Sequence, residues 1–329
     1  MGLTNTIVPL ASKSIAEIAV PGELKKNFIE LDNDKIVELK ECLVHNYKNF
    51  SEPGYLDSKE GKMDLENHLT FRLMVDRRAI VPWLNRARPL KNAKILEIGC
   101  GTGASSVALA EQGAILTGID VDPKSLVVAR KRCELYGVDA DFIECNATEV
   151  TDKFQDSDFD FIIFFASLEH MTFQERLVSM NRTWNLLKPG KIWVITETPN
   201  RLWYYDSHTS LLPFYNWLPD DIAYDYSSFS KRYEFNELSN NGTRDLIRLA
   251  RYGRGISYHE FELAMGPIES LDIISNLSEY GFYNRSQAFY QILASKGLRH
   301  SYESMLKKIK PGINSAFTKP MLDIMIRKN

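Results

Sequence analysis

The chain reads as an α/β protein built on a parallel sheet with helices on both faces, and three observations carry that reading. An apolar strand, Ile95 to Ile98, runs into a turn with glycines at 99, 101 and 103. Strand-like and helix-like segments then alternate, with strands near 94–98, 115–119, 140–144, 159–165 and 191–197 and helices over 104–112, 123–136 and 173–187. The composition, 44% apolar and 25% charged over 329 residues, is that of an ordinary soluble globule of one large domain with appendages or two small ones. Repeated strand–helix units close through right-handed crossovers and place ligands at the carboxyl ends of the strands.

From the N-terminus, residues 1–90 read as a helical cap. Asp32 or Asn33 is placed to cap a helix in which Ile36, Leu39 and Leu43 recur on one face, Ser51 to Tyr55 form a turn, and Leu65 to Leu84 repeat at helical spacing until Pro82 stops them. The core spans 91–197. Residues 198–265 follow as an insertion crowded with aromatics, among them Trp203, Tyr204, Tyr215, Trp217, Tyr224 and Tyr233, and broken by Pro199, Pro213 and Pro219. A long insertion at the ligand-bearing end of a sheet is expected to be a lid or substrate pocket, with part of its rings simply packing it onto the core. Residues 266–329 complete the core: a helix over Glu269 to Leu277, an additional helical segment over 291–313, and a last strand from Met321 to Arg327.

The glycine turn carries the chemistry. Glycines let the backbone bend sharply and approach a ligand that a Cβ would push away, and a helix starting near Ala104 offers its first N–H groups. Gly99, Gly101 and Ala104 also satisfy the spacing of a dinucleotide-binding turn, with Asp120 about twenty residues on to hold ribose hydroxyls. Glu97 discriminates between the two chemistries. A carboxylate at the strand tip repels a pyrophosphate and suits the ammonium of an amino-acid-like ligand, so a sulfonium nucleotide fits better than a nicotinamide dinucleotide.

With these residues in view the chain resembles the class I S-adenosylmethionine (SAM)-dependent methyltransferases. Gly118-Ile119-Asp120-Val121-Asp122 resembles the family's second strand and its ribose-gripping acid. Phe142 to Ala147 resembles the third strand and adenine-side loop, with Asn146 where many members carry Asp. Phe159 to Phe165 followed by Leu168-Glu169-His170-Met171 is similar to the fourth strand and its turn, Leu186 to Gly190 to the turn before the fifth, and Glu279 to Phe282 to the entry of the sixth. The resemblance covers roughly residues 91–200, with a weaker echo at the C-terminus.

It implies a Rossmann-like, seven-stranded, mostly parallel sheet whose last strand is antiparallel. It also implies SAM as cofactor, bound by Glu97, Gly99, Cys100, Gly101, Gly103, Asp120, Val121, Asn146, Ala147 and Leu168. Cap helices in this family cover the SAM cleft, so Tyr55, His68 and Arg72 are expected to face the ligand; the alternative is that they are ordinary surface residues of amphipathic helices. The implied activity is methyl transfer to an oxygen or nitrogen of a small-molecule acceptor, with sugar or polysaccharide precursors and specialised metabolites as the first classes to test. Two other outcomes share the cofactor. One is a cyclase acting on the methionine moiety and releasing methylthioadenosine, favoured by aromatic faces around a sulfonium; the other is SAM binding without catalysis.

Methyl transfer from a sulfonium needs a nucleophile aligned behind the methyl carbon and removal of its proton. Alignment supplies about 7–11 kcal/mol in well-oriented cases, and a positioned base roughly 10²–10⁴-fold. The candidate bases are His170, directly after the fourth strand, and His208, within Asp206-Ser-His-Thr209; for His170 a purely structural part in shaping the pocket is the alternative. Arg201, Tyr204, Asp206 and Trp217 are the candidate acceptor-binding residues, Arg201 as a clamp on a carboxylate or phosphate. Asp206, His208, Asp220 and Asp221 match no metal-ligand spacing, and no required metal is expected.

Net charge −3 and a pI near 6.1 argue against a nucleic-acid partner, which would show as clustered Lys and Arg. Four cysteines without a C-x-x-C pair read as free thiols in a reducing compartment. The first residues lack a basic start followed by a long apolar run, and no stretch approaches the roughly 18 apolar residues of a membrane span. The expectation is a cytoplasmic protein without a membrane partner, with a homodimer as the assembly to test.

Overall fold

The computed structural model describes residues 20–155, 158–238, 244–277 and 297–329. Its strands are β1 (Lys94–Ile98), β2 (Ile115–Asp120), β3 (Asp141–Glu144), β4 (Phe161–Phe165), β5 (Ile192–Pro199), β6 (Asp272–Asn276) and β7 (Met321–Arg327). They form one seven-stranded sheet in the order β3-β2-β1-β4-β5-β7-β6. β2 runs parallel to β1 and β3, and β7 antiparallel to β5 and β6. This is the Rossmann-like α/β sheet expected from the sequence. β4, Phe-Ile-Ile-Phe-Phe, is buried along its whole length, as a strand covered on both faces requires.

Among the described residues the chain divides into two compact units, one of 20–146 with 158–161 and one of 147–155, 162–238, 244–277 and 297–329. In the first, α1 (Asn33–Asn46) opens on Asp32, whose side chain accepts the Lys35 N–H, and buries Leu39 and Leu43. Residues 59–87 then form one continuous helical rod, which corrects the expectation of a stop at Pro82. Two π-helical stretches, Asn67–Phe71 and Asp76–Ile80, interrupt the α-helical pitch, and Pro82 sits in the first turn of the final stretch, Val81–Ala87. A proline there, just past a π turn that has already shifted the hydrogen-bond ladder, gives up little with its missing N–H. After β1 come α2 (Ala104–Ala110) and α3 (Pro123–Tyr136); α3 is capped by the Asp122 carboxylate, ends on left-handed Gly137 and packs on α1 and β3.

In the second unit α4 (Phe173–Leu186) begins with a capping box between Thr172 and Glu175. β5 carries a register shift between Ile195 and Thr198, and within it Glu197 adopts φ +58°. Asp323 of β7 accepts the Glu197 N–H at 2.7 Å and the Thr196 hydroxyl at 3.0 Å, which holds the bulge.

The insertion is largely helical. It contains α5 (Asp220–Tyr226), α6 (Leu246–Tyr252) and α7 (Tyr258–Met265), around a core of Tyr215, Tyr224, Phe235, Leu238 and Leu249. The buried hydroxyls of Tyr215 and Tyr224 are satisfied by the carbonyls of Ala223 at 2.6 Å and Leu238 at 2.8 Å. The side chain of Tyr233 lies outside the described residues.

The helix expected over Glu269 to Leu277 is instead a 3-10 turn, Ile268–Ser270, followed by β6. β-branched Ile273 and Ile274 suit a pleated edge, and pairing with β7 outweighs a helix too short to be stable by itself. Glu279 to Phe282 lie outside the described residues. The described part of the 291–313 segment is helix α8 (Leu298–Ile309). Among the described residues no helix is long and apolar enough to cross a membrane.

If the insertion is held by its own aromatic core, Phe235→Ala, at a ring with no exposed surface, should cost about 3–5 kcal/mol. The measurement is the urea midpoint at unchanged slope, and a loss below about 1 kcal/mol would mean that the ring is not packed as described.

Candidate functional site

The first unit builds its part of the site at the ends of β1 and β2. The turn takes left-handed backbone at Gly101, φ +50°, and Gly103, φ +77°. A Cβ at Gly101 would meet nothing within 4 Å, so the turn keeps an open face there, whereas at Gly103 it would lie 2.9 Å from the Ala129 Cα, because α3 packs directly on the turn. Asp120 sets the shape: its carboxylate accepts the N–H of Gly101 at 2.8 Å and of Asp122 at 2.9 Å, and burial pushes its carboxyl above the ordinary range. A carboxylate so engaged keeps acceptor capacity for sugar hydroxyls. Val121 beside it is an exposed apolar side chain, and Asn146 at the end of the third-strand segment is half-buried.

Several expected cofactor contacts are placed differently. Glu97 is fully buried, and its two oxygens accept the hydroxyls of Ser105 and Ser106 on α2, so the expected direct contact with a ligand ammonium is replaced by a brace between strand tip and helix. Burial raises its pKa to about 7 against the pull of those two hydroxyls. Cys100 turns its thiol inward against Gly118 and gives its N–H to Ile119 O at 3.1 Å, which leaves it no donor for a ligand. In the second unit Leu168 is fully buried, with its carbonyl taken by Arg176, and Ala147 is buried as well. The side chains of Cys100, Leu168 and Ala147 are all packed inside the protein.

The cap reaches the glycine turn through a polar chain. Tyr55 donates to Asp64 at 3.2 Å, Asp64 lies 3.4 Å from His68 Nε2, and His68 Nδ1 lies 3.4 Å from the Thr102 hydroxyl. Burial, together with the positive charges of Arg72 and Arg132, pushes the His68 pKa down to about 3, so the imidazole is neutral. His68 is therefore no surface residue, whereas Arg72 is exposed on the rod. Arg132, fully buried on α3, donates to the carbonyls of Thr102 at 2.8 Å, His68 at 2.6 Å and Leu69 at 3.3 Å, tying the turn to the π-helical stretch. The sequence held a signal for it, since Arg132 falls three residues after Ala129 and four before Tyr136, on the buried face of α3.

In the second unit the backbone leaves β4 through Ala166, at φ +40°, into the turn Leu168–His170. Non-glycine residues in this conformation are strained, and such strain gathers at functional sites. Glu169 is fully buried. Its Oε2 accepts the Thr198 hydroxyl at 3.0 Å, while Oε1 receives no hydrogen bond. His170 Nε2 lies 3.8 Å from Oε1 and His208 Nε2 lies 3.9 Å from it, with the two imidazole rings 5.6 Å apart. Burial pushes the Glu169 carboxyl up, and His170 opposes the shift. The structure thus brings both candidate bases onto one buried carboxylate. Sequence spacing could not show this, because His208 arrives from the insertion.

Asp206, expected to bind an acceptor, is instead buried and saturated. It accepts the N–H groups of His208 at 3.1 Å, Thr209 at 3.0 Å and Ser210 at 2.8 Å, together with the Ser210 hydroxyl at 2.8 Å. An Asp does this readily, because its short side chain reaches the backbone just ahead of it, and the result is the turn that presents His208. Arg201 and Trp217 do come together, lining a cavity of about 550 Å³ with Leu263, Tyr302, Met305 and Ile309. Tyr204 packs at a tilt against Trp203 and meets Tyr302 edge-on. Arg176 joins cavity and cluster: it donates to the carbonyls of Leu168, Glu169, Met171, Arg254 and Gly255 and stands 3.9 Å from Glu260, which also lines the cavity.

A family described as a methyltransferase domain matches residues 95–190. The ubiquinone biosynthesis O-methyltransferase of Coxiella burnetii is 30% identical over 180 residues, covering 53% of this chain and 73% of that protein. Among solved structures, the plantazolicin methyltransferase BpumL in complex with SAH is 16% identical and covers 90% of this chain and 98% of that one, at a TM-score of 0.45. The magnesium protoporphyrin IX methyltransferase of Synechocystis PCC 6803 with bound SAM is 19% identical, covering 52% of this chain and 80% of that one, at a TM-score of 0.37.

Glu97 gives a pH test. Its pKa rises from 4.5 to about 7 on folding, so the folded state holds the proton more tightly; stability from this group is complete below 4.5 and is lost as pH climbs to about 7. Glu97→Gln, which needs no charge, should therefore gain on the wild type between pH 5 and pH 8 by on the order of a few kcal/mol in denaturant unfolding. A pH-independent difference would show that the carboxyl titrates normally.

Proposed function

This chain belongs to the class I SAM-dependent methyltransferases and uses SAM as its cofactor, and from that premise we propose that it methylates an oxygen of a small, largely apolar acceptor. The observation that carries the choice is the cavity of about 550 Å³, whose wall is mostly apolar with Arg201 as a cation. Such a lining suits the body of a specialised metabolite bearing a carboxylate or phosphate better than a sugar, whose hydroxyls would go unpaired against it. The relatives' own names, which specify O-methylation, support oxygen over nitrogen as the accepting atom.

In this reading the first unit holds the cofactor. Asp120 takes the ribose hydroxyls, the open face at Gly101 admits the methionine portion, and Val121 and Asn146 flank the adenine. In the second unit Glu169, His170 and His208 control the proton that the acceptor hydroxyl must lose, and the cavity holds the acceptor's body. Because the sulfonium is already an excellent leaving group, orientation supplies most of the acceleration and proton control the remainder.

Three measurements check this. Turnover with a panel of phenolic and carboxylate-bearing acceptors should yield S-adenosylhomocysteine; methylthioadenosine in its place would indicate cyclisation of the cofactor. Asp120→Ala should abolish the calorimetric signal of SAM binding. His208→Ala should keep that signal and lower turnover by roughly 10²–10⁴-fold, and an unchanged rate would remove His208 from the reaction.

A further inference from the structure

Glu169, His170 and His208 present an unusual combination: ligand-type atoms from all three converge on one small space. The tautomers follow from the partners. His170 Nδ1 lies 2.9 Å from the carbonyl oxygen of Arg251, which can only accept, so Nδ1 donates there and Nε2 is the nitrogen turned toward Glu169. For His208, Nδ1 lies 2.9 Å from the Thr209 hydroxyl, and that hydroxyl gives its single hydrogen to the carbonyls of Gly253 at 2.9 Å and Tyr252 at 3.2 Å. Thr209 therefore accepts from His208 Nδ1, and His208 Nε2 is the nitrogen turned toward Glu169.

The two Nε2 atoms stand 3.8 and 3.9 Å from Glu169 Oε1, too far for a hydrogen bond, and that oxygen is completely buried without a donor. The neighbouring cation does not serve it. Arg176 spends its donors on backbone carbonyls. The three donor atoms lie within 4.8 Å of one another. Tetrahedral ligands at the usual zinc distances would be about 3.4 Å apart, and the two nitrogen–oxygen separations of 3.8 and 3.9 Å lie near that spacing.

We propose that Glu169 Oε1, His170 Nε2 and His208 Nε2 form a binding site for one divalent transition-metal ion of the zinc class. Two imidazoles and one carboxylate are the donor set that zinc and its borderline neighbours take, and hard, oxygen-seeking magnesium and calcium do not favour it. The groups that would hold the ligands in place are present as well: the Arg251 carbonyl and Thr209 orient the two rings, and Thr198 holds the other oxygen of Glu169. Three protein ligands leave a coordination position open. The inference deepens the reading above and rests on it only for what enters that position, namely the acceptor's hydroxyl, whose proton a bound cation would loosen.

The test uses the whole chain after dialysis against a chelator, titrated with Co²⁺ and with Zn²⁺ by calorimetry, with the visible spectrum of the Co²⁺ form recorded. The expected result is one ion per chain, a tetrahedral Co²⁺ spectrum, and affinity weakened by about 100-fold or more in His208→Ala and His170→Ala. Because Glu169→Gln alters a buried group, the half-exposed histidines carry the decision, and retained SAM binding certifies each variant as folded. No uptake by the wild type, or wild-type affinity in a His208→Ala protein that still binds SAM, overturns the site. Turnover that is unchanged in the chelated protein overturns its part in the reaction. Failure to find any methylated product, by contrast, bears on the acceptor reading alone, since ion uptake is measured without an acceptor.

Discussion

Irregular backbone at the end of a buried strand leaves carbonyls and amides that neither a helix nor a sheet will satisfy, and this protein meets that demand with buried guanidinium groups. Leaving such groups unpaired costs about 1–3 kcal/mol each, so a turn that must keep an open face has to be supported from behind. In the first unit Arg132 does so, gathering the carbonyls of Thr102, His68 and Leu69. In the second, Arg176 gathers those of the Leu168–Met171 turn and of Arg254 and Gly255. Burial lowers the pKa of each to about 10, which still leaves both charged at neutral pH.

This support explains how strained or left-handed residues persist at Gly101, Gly103 and Ala166. Each sits where a strand end must bend away sharply, and each is over-determined by hydrogen bonds around it. The π-helical stretch Asn67–Phe71 belongs to the same economy of donors and acceptors: its changed pitch supplies carbonyls that Arg132 can collect, so that cap and glycine turn are bonded to one another within the first unit.

Glu169 departs from this careful satisfaction, and at Glu169 the departure marks the chemistry. A fully buried carboxylate oxygen without a donor, faced by two imidazole nitrogens, is a local violation that the surrounding hydrogen bonds are arranged to hold. Nothing comparable surrounds Asp206, whose oxygens are fully occupied, and its part is accordingly to shape the loop that carries His208.

The sequence by itself determined the sheet, the helices flanking it and the cofactor class. Those depend on periodic burial, on glycines where no Cβ fits and on an acid at a strand tip, all of which are local. It placed α3 and β7 to the residue. It misread Pro82 and the 269–277 segment, because a π turn and a neighbouring strand's open edge are properties of what lies alongside. Only the tertiary structure decided that Glu97 faces inward, that Asp206 caps a turn, and that His208 joins His170 on one carboxylate. Side-chain roles of that kind are set by burial and by partners far along the chain, and no spacing along a strand or helix encodes them.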